Sequence, residues 1–222
     1  MKRDAFRVVI IAIALTGGGC AVAYEEPFFD VLGQYDEYEI RRYAPYLVAE
    51  TTVEGSFDQA GNQSFRRLFG FISGNNRAYE SLGEGVPMNG GSQDRGAKIK
   101  MTVPVVATMP SSGTAETAPY TYYFVMPSKY TLENLPSPTD ERIRIREVPE
   151  RVVAVRRYSG RSNEANYREN ELQLLAALEA DGVTPLGEPV FAVYNGPFTP
   201  WFLRRNEVMV EVAGPERTAC AR

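Results

Sequence analysis

The chain has 222 residues, of which 44% are hydrophobic and 23% are charged, and its formal net charge is −4. This is the balance of an ordinary globular domain, and it argues against a nucleic-acid-binding protein, which shows a basic face. Histidine is absent, which excludes Ser-His and Cys-His nucleophile pairs, HExxH zinc sites and histidine-ligated haem.

The N-terminus has the pattern of an export signal. Lys2, Arg3 and Arg7 precede the apolar run Val8–Leu15, and small residues follow it. This run is far shorter than the ~20 apolar residues that a membrane-spanning helix needs. We therefore expect residues 1–23 to be a signal peptide and the mature protein to lie outside the cytoplasm.

Two cleavage sites fit this signal. Cys20 follows a glycine-rich turn, as in a bacterial lipoprotein, and cleavage before it would leave the cysteine lipidated. Alternatively, Ala21-Val22-Ala23 is an A-x-A site for ordinary cleavage after Ala23. We expect a periplasmic protein or one anchored in the outer membrane as a lipoprotein. In either case Cys220, the only other cysteine, is left unpaired.

The first half of the chain predicts two strands and a helix after a short linker. Alternating side chains at Tyr38–Arg42 and a β-rich run at Tyr46–Val53 indicate the strands. Ser56 and Gln59 have the spacing of a capping box, and helical periodicity continues from there to Gly74.

Further strands follow a long polar segment. Residues 75–97 are rich in Gly, Asn and Ser and indicate an exposed loop. The β-branched run 98–109, the small polar turn Ser111–Pro119 and the strand from Tyr120 predict a hairpin. A proline-interrupted connection, residues 128–141, ends this half of the chain.

The second half of the chain repeats the first. "IRIREVPERVVAVRRYSGRS" resembles "YEIRRYAPYLVAETTVEGS", with Ile145 corresponding to Ile40 (145 − 40 = 105) and a one-residue gap after the proline. A second helix is expected from Asn163 to about Asp181, followed by strands in "EPVFAVYNGP" and "RRNEVMVEV".

Two copies of a β-β-α-β-β unit can bury the apolar faces that one copy alone would leave exposed. The sequence therefore predicts one α+β domain over residues 24–212. Its expected form is a distorted antiparallel β-barrel of about eight strands with two helices. Residues 213–222 show no periodicity and are expected to be a flexible tail.

Several motifs, in order along the chain, resemble the SOUL haem-binding protein family: "YEIRRYAPYLVAET", "KIKMTVPV", "YYFVMP", "VAVRRYSG" and "YNGPFTPWFLRRNEVMVEV". Together they span roughly residues 26–212. The resemblance implies an antiparallel barrel with two helices and a pseudo-twofold repeat, similar to the effector-binding domains of some bacterial transcription regulators. It also implies that haem or a related tetrapyrrole binds in a shallow apolar groove.

The resemblance places this groove beside the first helix and under the loop that precedes "RRNE". Cationic side chains are expected near the propionates, and Arg66 or Arg67 could supply them. The ligand-binding residues implied in this chain are Phe65, Arg66, Phe69, Phe198, Trp201 and Phe202.

Each of these residues also has a purely structural interpretation. Phe65 and Phe69 share a helix face at i, i+4, and packing against the sheet explains that spacing equally well. Trp201 lies in a proline-flanked loop and could plug the core or cover a ligand. In Arg204–Glu207, a structural ion pair at the sheet edge, with Asn206 in a turn, is favoured over a catalytic base.

Without histidine, iron would need a Tyr, Met or thiolate ligand, or haem would bind through contacts to the porphyrin alone. Tyr46, Tyr194, Met101 and Met209 are conceivable ligands, but each lies in a predicted strand. We therefore expect a non-enzymatic protein that binds haem or another flat apolar ligand at the cell envelope. The alternative is an envelope interaction module that binds a peptide, lipid or protein partner without haem.

Overall fold

The structure, a computed structural model, describes residues 24–77, 96–109 and 119–214. The predicted export signal with Cys20 lies outside these residues. So do most of the predicted glycine-rich loop, most of the polar turn and most of the predicted tail, including Cys220. The predictions for those segments therefore stay predictions.

Within the described residues the chain forms strands and two helices in the predicted alternation. In chain order they are β1 (Phe29–Gln34), β2 (Glu39–Tyr43), β3 (Tyr46–Val53), α1 (Phe57–Ile72), β4 (Asn76–Arg77), β5 (Val105–Thr108), β6 (Tyr120–Val125), β7 (Ser137–Pro138), β8 (Arg144–Val148), β9 (Arg151–Tyr158), α2 (Glu164–Ala180), β10 (Val190–Val193) and β11 (Asn206–Glu211). Neither helix is long and apolar enough to cross a bilayer.

Nine strands form one strongly curled antiparallel sheet in the order β1-β2-β9-β11-β10-β5-β6-β3-β8, while β4 and β7 pair separately. This half-barrel confirms the predicted α+β class. Strands β2, β3, β5 and β6 belong to the first copy of the repeat, and β8, β9, β10 and β11 are their counterparts. If each of these eight strands is replaced by its counterpart in the other copy, the strand order is the same read backwards. A pseudo-twofold axis therefore runs between β10 and β5.

The two copies exchange strands across this axis. Ile40 of β2 lies opposite Ala154 of β9, and Ile145 of β8 lies opposite Ala49 of β3. Corresponding residues of the two copies are 105 positions apart both before and after the proline turn that joins the first two strands (145 − 40 and 154 − 49). The predicted one-residue gap after the proline is therefore wrong. Because each copy's first strand completes the other copy's half of the sheet, neither copy has a complete sheet alone.

The strand-to-helix turns of the two copies share one backbone requirement. Gly55 and Gly160 have φ of 130° and 118°, a region that only glycine enters without strain, and they are also 105 residues apart (160 − 55). Ser56 then occupies the N-cap of α1, but its side chain makes no capping hydrogen bond, so the predicted capping box is wrong. In α2, the side chain of Asn163 does cap the helix by accepting from the Asn166 N–H at 2.9 Å.

Apolar side chains cover both faces of the sheet. On one face, both helices bury leucines, including Leu68 and Leu174, against the strands. The opposite face carries a second cluster to which no helix residue contributes, with Tyr43, Tyr194 and Met209 among its members. Every repeat strand therefore lies between or beside apolar layers, which explains why the strand sequences contain few solvated positions.

Two elements differ from the sequence prediction. The predicted N-terminal linker contains β1, an edge strand that pairs with β2 from Phe29 onward. A register shift between Val31 and Gly33 breaks the alternation that would have revealed this strand. The predicted strand 98–109 is ordered as a strand only over Val105–Thr108, because Pro104 has no N–H to donate to a ladder.

We expect Leu68→Ala and Leu174→Ala each to lower the free energy of unfolding by about 2–5 kcal/mol, because both side chains are fully buried. Leu172→Ala is the matched control, since Leu172 is 68% exposed on α2, and its effect should stay within about 0.5 kcal/mol. Urea denaturation followed by far-UV circular dichroism measures all three. Because the copies exchange strands, each variant should unfold in one transition; two separate transitions would contradict the exchange.

Candidate functional site

The outer flank of α1 carries an exposed aromatic pair, Phe65 and Phe69. Their rings stack at 5.7 Å with an interplanar angle of 11°, and the two side chains are 44% and 48% exposed. Phe65 also packs edge-on against Phe124 of β6 at 5.6 Å. The pair is therefore not part of the buried core, as one interpretation held, but it does contact the sheet. It forms an exposed apolar surface at the edge of the core.

Beside this aromatic pair, the two consecutive arginines have different environments. Arg67 donates a 2.6 Å hydrogen bond to Thr51 and lies 3.7 Å from the carboxylate of Asp140, so its charge is already matched. Arg66 is exposed, contacts only the carbonyl of Asn62 in its own helix at 3.3 Å, and forms no ion pair within the described residues. Of the two, Arg66 is the cation available to a ligand carboxylate.

Residues 194–205, here called the aromatic loop, connect β10 to β11. Phe198 is 99% exposed, and Trp201 and Phe202 are also exposed, with their rings edge to face at 5.6 Å. The loop is nevertheless ordered, because Arg204 donates to two of its carbonyls at 2.8 Å each and Gly160 donates to the carbonyl of Trp201 at 3.1 Å. Trp201 therefore does not plug the core.

The sheet register places the aromatic loop and the aromatic pair near each other. Val193, where the loop begins, lies opposite Val105, which in turn lies opposite Phe124. All three side chains belong to the apolar layer that contacts the helices. Since neighbouring strands are about 4.8 Å apart, Val193 and Phe124 are separated by about 10 Å. The start of the aromatic loop and the Phe124 ring on which Phe65 packs thus lie at the same end of one sheet face.

A fully buried carboxylate, Glu207, holds the aromatic loop at its root. Arg41 donates two hydrogen bonds to it, at 2.9 and 3.1 Å. The hydroxyl of Tyr194 donates at 2.6 Å, and Nε of Arg205 donates at 2.9 Å. Because Tyr194 begins the loop and Arg205 ends it, one carboxylate fixes both ends.

The protonation states of this cluster follow from its partners. Burial by itself raises the pKa of Glu207, but the hydrogen bonds and charges of Arg41 and Arg205 outweigh burial, so the pKa is lowered and the group stays ionised. Burial and then the Glu207 charge raise the pKa of Tyr194 well above its usual value, so its hydroxyl keeps the proton that it donates. A carboxylate with four donors and no exposed surface is a structural group and cannot reach a substrate as a base.

The sequence predicted the ion pair in this cluster but not its position in the sheet. Arg41, in the first strand of the repeat, is only 3% exposed, because its charge is matched by Glu207. The expected ion pair at "RRNE" exists, but on a central strand, since β11 lies between β9 and β10. Asn206 is not in a turn: it begins β11, fully buried, and bonds to Ser162 and the carbonyl of Gly160.

Sequence reasoning missed a cleft of about 710 Å³ near the corner between β2 and β3. It contains none of the predicted site residues. Its lining includes no lysine or arginine but four glutamates, so a ligand with two carboxylates would meet like charge there. The only sequence signal for it was the recurrence of proline at strand ends. Its polar and apolar walls include Glu25, Glu26, Pro27, Phe28, Pro45, Tyr46, Pro127, Tyr130, Glu133 and Glu147.

The conceivable iron ligands are committed to other contacts. The Tyr46 hydroxyl accepts from Arg151 at 2.7 Å, the Tyr194 hydroxyl is bound to Glu207, and Met209 is buried beside Tyr43. Met101 packs partly buried against the core. Residues 24–77, 96–109 and 119–214 also contain no group of three or more cysteine or acidic side chains that could hold a metal ion.

These observations define a class: a two-copy α+β half-barrel domain with an exposed aromatic surface at one end of the sheet. A profile of the family described as SOUL heme-binding protein matches residues 24–211. Heme-binding protein 2 of Mus musculus is 29% identical over 193 residues, covering 82% of this chain and 85% of that protein. Heme-binding protein 1 of Sus scrofa is 34% identical over 136 residues, covering 58% and 70%. The chain belongs to the SOUL family.

Solved structures of distant sequence share the fold. The EcmrR C-terminal domain superposes with a TM-score of 0.56 at 9% identity, covering 80% of this chain and 99% of that domain. A protein described as a hydrolase from Listeria innocua gives 0.51 at 12% identity, covering 82% and 94%. At these identities the similarity establishes the architecture alone.

We expect Glu207→Gln to lower the free energy of unfolding by about 3 kcal/mol at pH 7, because it leaves Arg41 and Arg205 without their buried counter-charge. The matched control is Glu150→Gln, since Glu150 is half exposed and 4.0 Å from Arg42, and its cost should be below about 1 kcal/mol.

The cost of Glu207→Gln should also depend on pH. The lowered pKa means that the ionised carboxylate stabilises the folded state fully above its unfolded-state pKa of about 4.3. This contribution is lost as pH falls through the lower folded-state pKa. Urea titrations from pH 7 to pH 2 should show wild type and variant converging only below about pH 4.3. A difference that stays constant down to pH 2 would contradict an ionised Glu207.

Proposed function

We propose that this protein binds haem or a related tetrapyrrole, without catalysis, in a shallow groove between the aromatic pair on α1 and the aromatic loop. The observation that carries the proposal is the exposure of four aromatic rings, those of Phe65, Phe69, Trp201 and Phe202, around one end of one sheet face. Membership of the SOUL family and the names of the Mus musculus and Sus scrofa relatives support the same ligand class.

The physical basis is the burial of a flat apolar face. Stacked Phe65 and Phe69 offer one aromatic wall, and Trp201 and Phe202 can offer a second from the loop. Removal of apolar surface from water contributes about 25 cal/mol per Å² before the entropic cost of association. Phe198, which is the most exposed ring of the loop, and Arg66 are the fifth and sixth proposed contacts.

The residues present fit the porphyrin better than its iron. The hydroxyls of Tyr46 and Tyr194 are hydrogen-bonded, Met209 is buried and Met101 packs partly buried against the core. Histidine is absent from the chain. Haem, when bound, would supply a flat conjugated ring with two carboxylates. The aromatic walls contact the ring, and Arg66, which is exposed on α1 and forms no ion pair with any described residue, offers its guanidinium to a carboxylate.

We further propose that this binding takes place at the cell envelope. The support is the sequence of residues 1–23, with its basic start, its short apolar run and either Cys20 or Ala23 as the cleavage point. A non-enzymatic tetrapyrrole-binding domain in that location would carry or sequester its ligand. Acylation of Cys20 is testable by mass spectrometry of the exported chain, and a mature N-terminus at Tyr24 would exclude it.

Titration of the mature exported chain with haemin and with metal-free protoporphyrin tests the proposal. We expect both to bind one to one, with quenching of Trp201 fluorescence, because the groove needs no iron ligand. Trp201→Ala should weaken haemin binding, followed by absorbance, by about tenfold, since base- or ring-stacking on one aromatic side chain contributes about 1–3 kcal/mol. Leu172→Ala is the matched control, because Leu172 is 68% exposed and lies on α2, outside the proposed groove.

Either of two results would contradict the proposed function. If neither porphyrin saturates, the chain does not bind tetrapyrroles, and an interaction module for a peptide, lipid or protein becomes the better interpretation. If haemin binds but Trp201→Ala and Leu172→Ala both behave like wild type, the binding site is not under the aromatic loop.

The role of Arg66 can be tested separately. We expect Arg66→Gln to weaken protoporphyrin binding by about three- to tenfold through the loss of a charge-assisted contact. Binding of protoporphyrin dimethyl ester, which has no carboxylates, should be unaffected. Arg144→Gln is the control, since Arg144 is an exposed arginine on the far edge strand β8. Equal losses for acid and ester would show that Arg66 does not contact a carboxylate.

A further inference from the structure

The aromatic loop exposes more apolar surface than an isolated surface residue would. Phe198, Trp201, Phe202 and Leu203 are 99%, 53%, 59% and 66% exposed, all within six positions. Single exposed apolar residues are normal on folded proteins, whereas a contiguous set marks a surface that meets something apolar. Leu172 on α2 and Leu186 in the connection before β10, by contrast, each lie apart in sequence from the other exposed large apolar residues that the structure describes.

The aromatic loop itself carries only positive charges, and of its two arginines Arg205 is matched by Glu207 and Glu26. Residues 194–205 contain two arginines and neither aspartate nor glutamate. Arg204 is held against the loop by its bonds to the carbonyls of Pro197 and Thr199. Arg161 is exposed and follows Gly160, whose N–H donates to the carbonyl of Trp201. A partner for this surface therefore combines an apolar interior with negative charge.

The first residues that the structure describes, Tyr24 to Glu26, lie beside the same loop. Glu26 accepts two hydrogen bonds from Arg205, at 2.9 and 3.0 Å, so the segment just after residue 23 is fastened to the end of the aromatic loop. Tyr24 and Phe28, on either side of Glu26, are themselves exposed apolar residues. Upstream of Tyr24 lie the apolar run and basic residues of the N-terminus.

We propose that the aromatic loop is a membrane-docking element that inserts its apolar side chains into the surface of an anionic lipid bilayer. Trp and other amphipathic rings are favoured at the level of lipid headgroups. Arginines beside them are attracted to anionic headgroups. The bonds from Arg204 and Gly160 order the loop in advance, which reduces the entropy lost on docking.

This inference goes beyond tetrapyrrole binding and does not depend on it. Because Glu26 is bonded to Arg205, residues 24–26 and the aromatic loop lie at the same end and can face one bilayer together. Leu203 separates the two roles, because it is part of the apolar patch but is not one of the residues proposed to contact a tetrapyrrole.

Vesicle binding by the chain that begins at Tyr24 tests the inference, because this form carries neither the apolar run nor Cys20 and no acyl chain contributes. Co-sedimentation with phosphatidylglycerol/phosphatidylcholine vesicles is compared with pure phosphatidylcholine vesicles. We expect binding to the anionic vesicles, weakened by salt, with a blue shift of Trp201 fluorescence. No binding, or equal binding to both kinds of vesicle, would overturn the inference.

Matched variants place the contact on the loop. Leu203→Asp should lower the partition coefficient at least about tenfold, because an acidic side chain is driven from the apolar region. Leu172→Asp should leave it unchanged, since Leu172 is equally exposed but lies on α2. Arg161→Glu should weaken binding about fivefold, while Arg144→Glu on β8 should not. If the leucine variants behave alike, another surface docks.

The outcome is independent of the proposed function. Haemin titrations without vesicles report on the groove, and co-sedimentation without haemin reports on the bilayer contact. Saturable haemin binding with no vesicle binding would contradict only the membrane-docking proposal. Vesicle binding with no haemin binding would contradict only the proposed tetrapyrrole binding.

Discussion

The exchange of strands between the two copies is the constraint on which this fold depends. Each copy supplies β-β-α-β-β, but its first strand completes the sheet of the other copy, with Ile40 opposite Ala154 and Ile145 opposite Ala49. Backbone hydrogen bonding thus makes both copies necessary for one sheet. At the pseudo-twofold axis, β5 pairs with β10, and Ala107 lies opposite Phe191. On either side of this pair, corresponding strands of the two copies follow in the same order.

The candidate site arises where the two copies differ. In the register, Glu207 lies opposite Arg157, and the counterpart of Arg157, Thr52, lies opposite Thr121. Thr121 therefore occupies the position of Glu207 in the first copy, which has no equivalent carboxylate. Only the second copy can bind Arg41 in this way. A near-symmetric scaffold thus carries one asymmetric, buried ion cluster, and the aromatic loop is fastened to it.

Much of the fold was predictable because local periodicity reflects the final packing. The two helices, the paired strands and the repeat all follow from apolar spacing and from glycine and proline at strand and helix ends. β1 was missed because a register shift at Val31 and Gly33 disrupts alternation. The predicted capping box at Ser56 was wrong, although Ser56 is the N-cap residue of α1. The spacing of Ser56 and Gln59 indicates where a helix begins, but it does not determine whether the serine hydroxyl bonds to a backbone N–H.

The sequence by itself determined the class of domain, its repeat, its family resemblance and the residues that form the aromatic surface. These depend on neighbours along the chain or on periodic patterns that any single strand or helix displays. Only the tertiary structure decided that Arg41 is buried on Glu207, that Arg67 rather than Arg66 forms an ion pair among the described residues, and that Trp201 is exposed. The physical reason is that burial and ion pairing depend on residues far apart in sequence, such as 41 and 207, which strand pairing brings to one point.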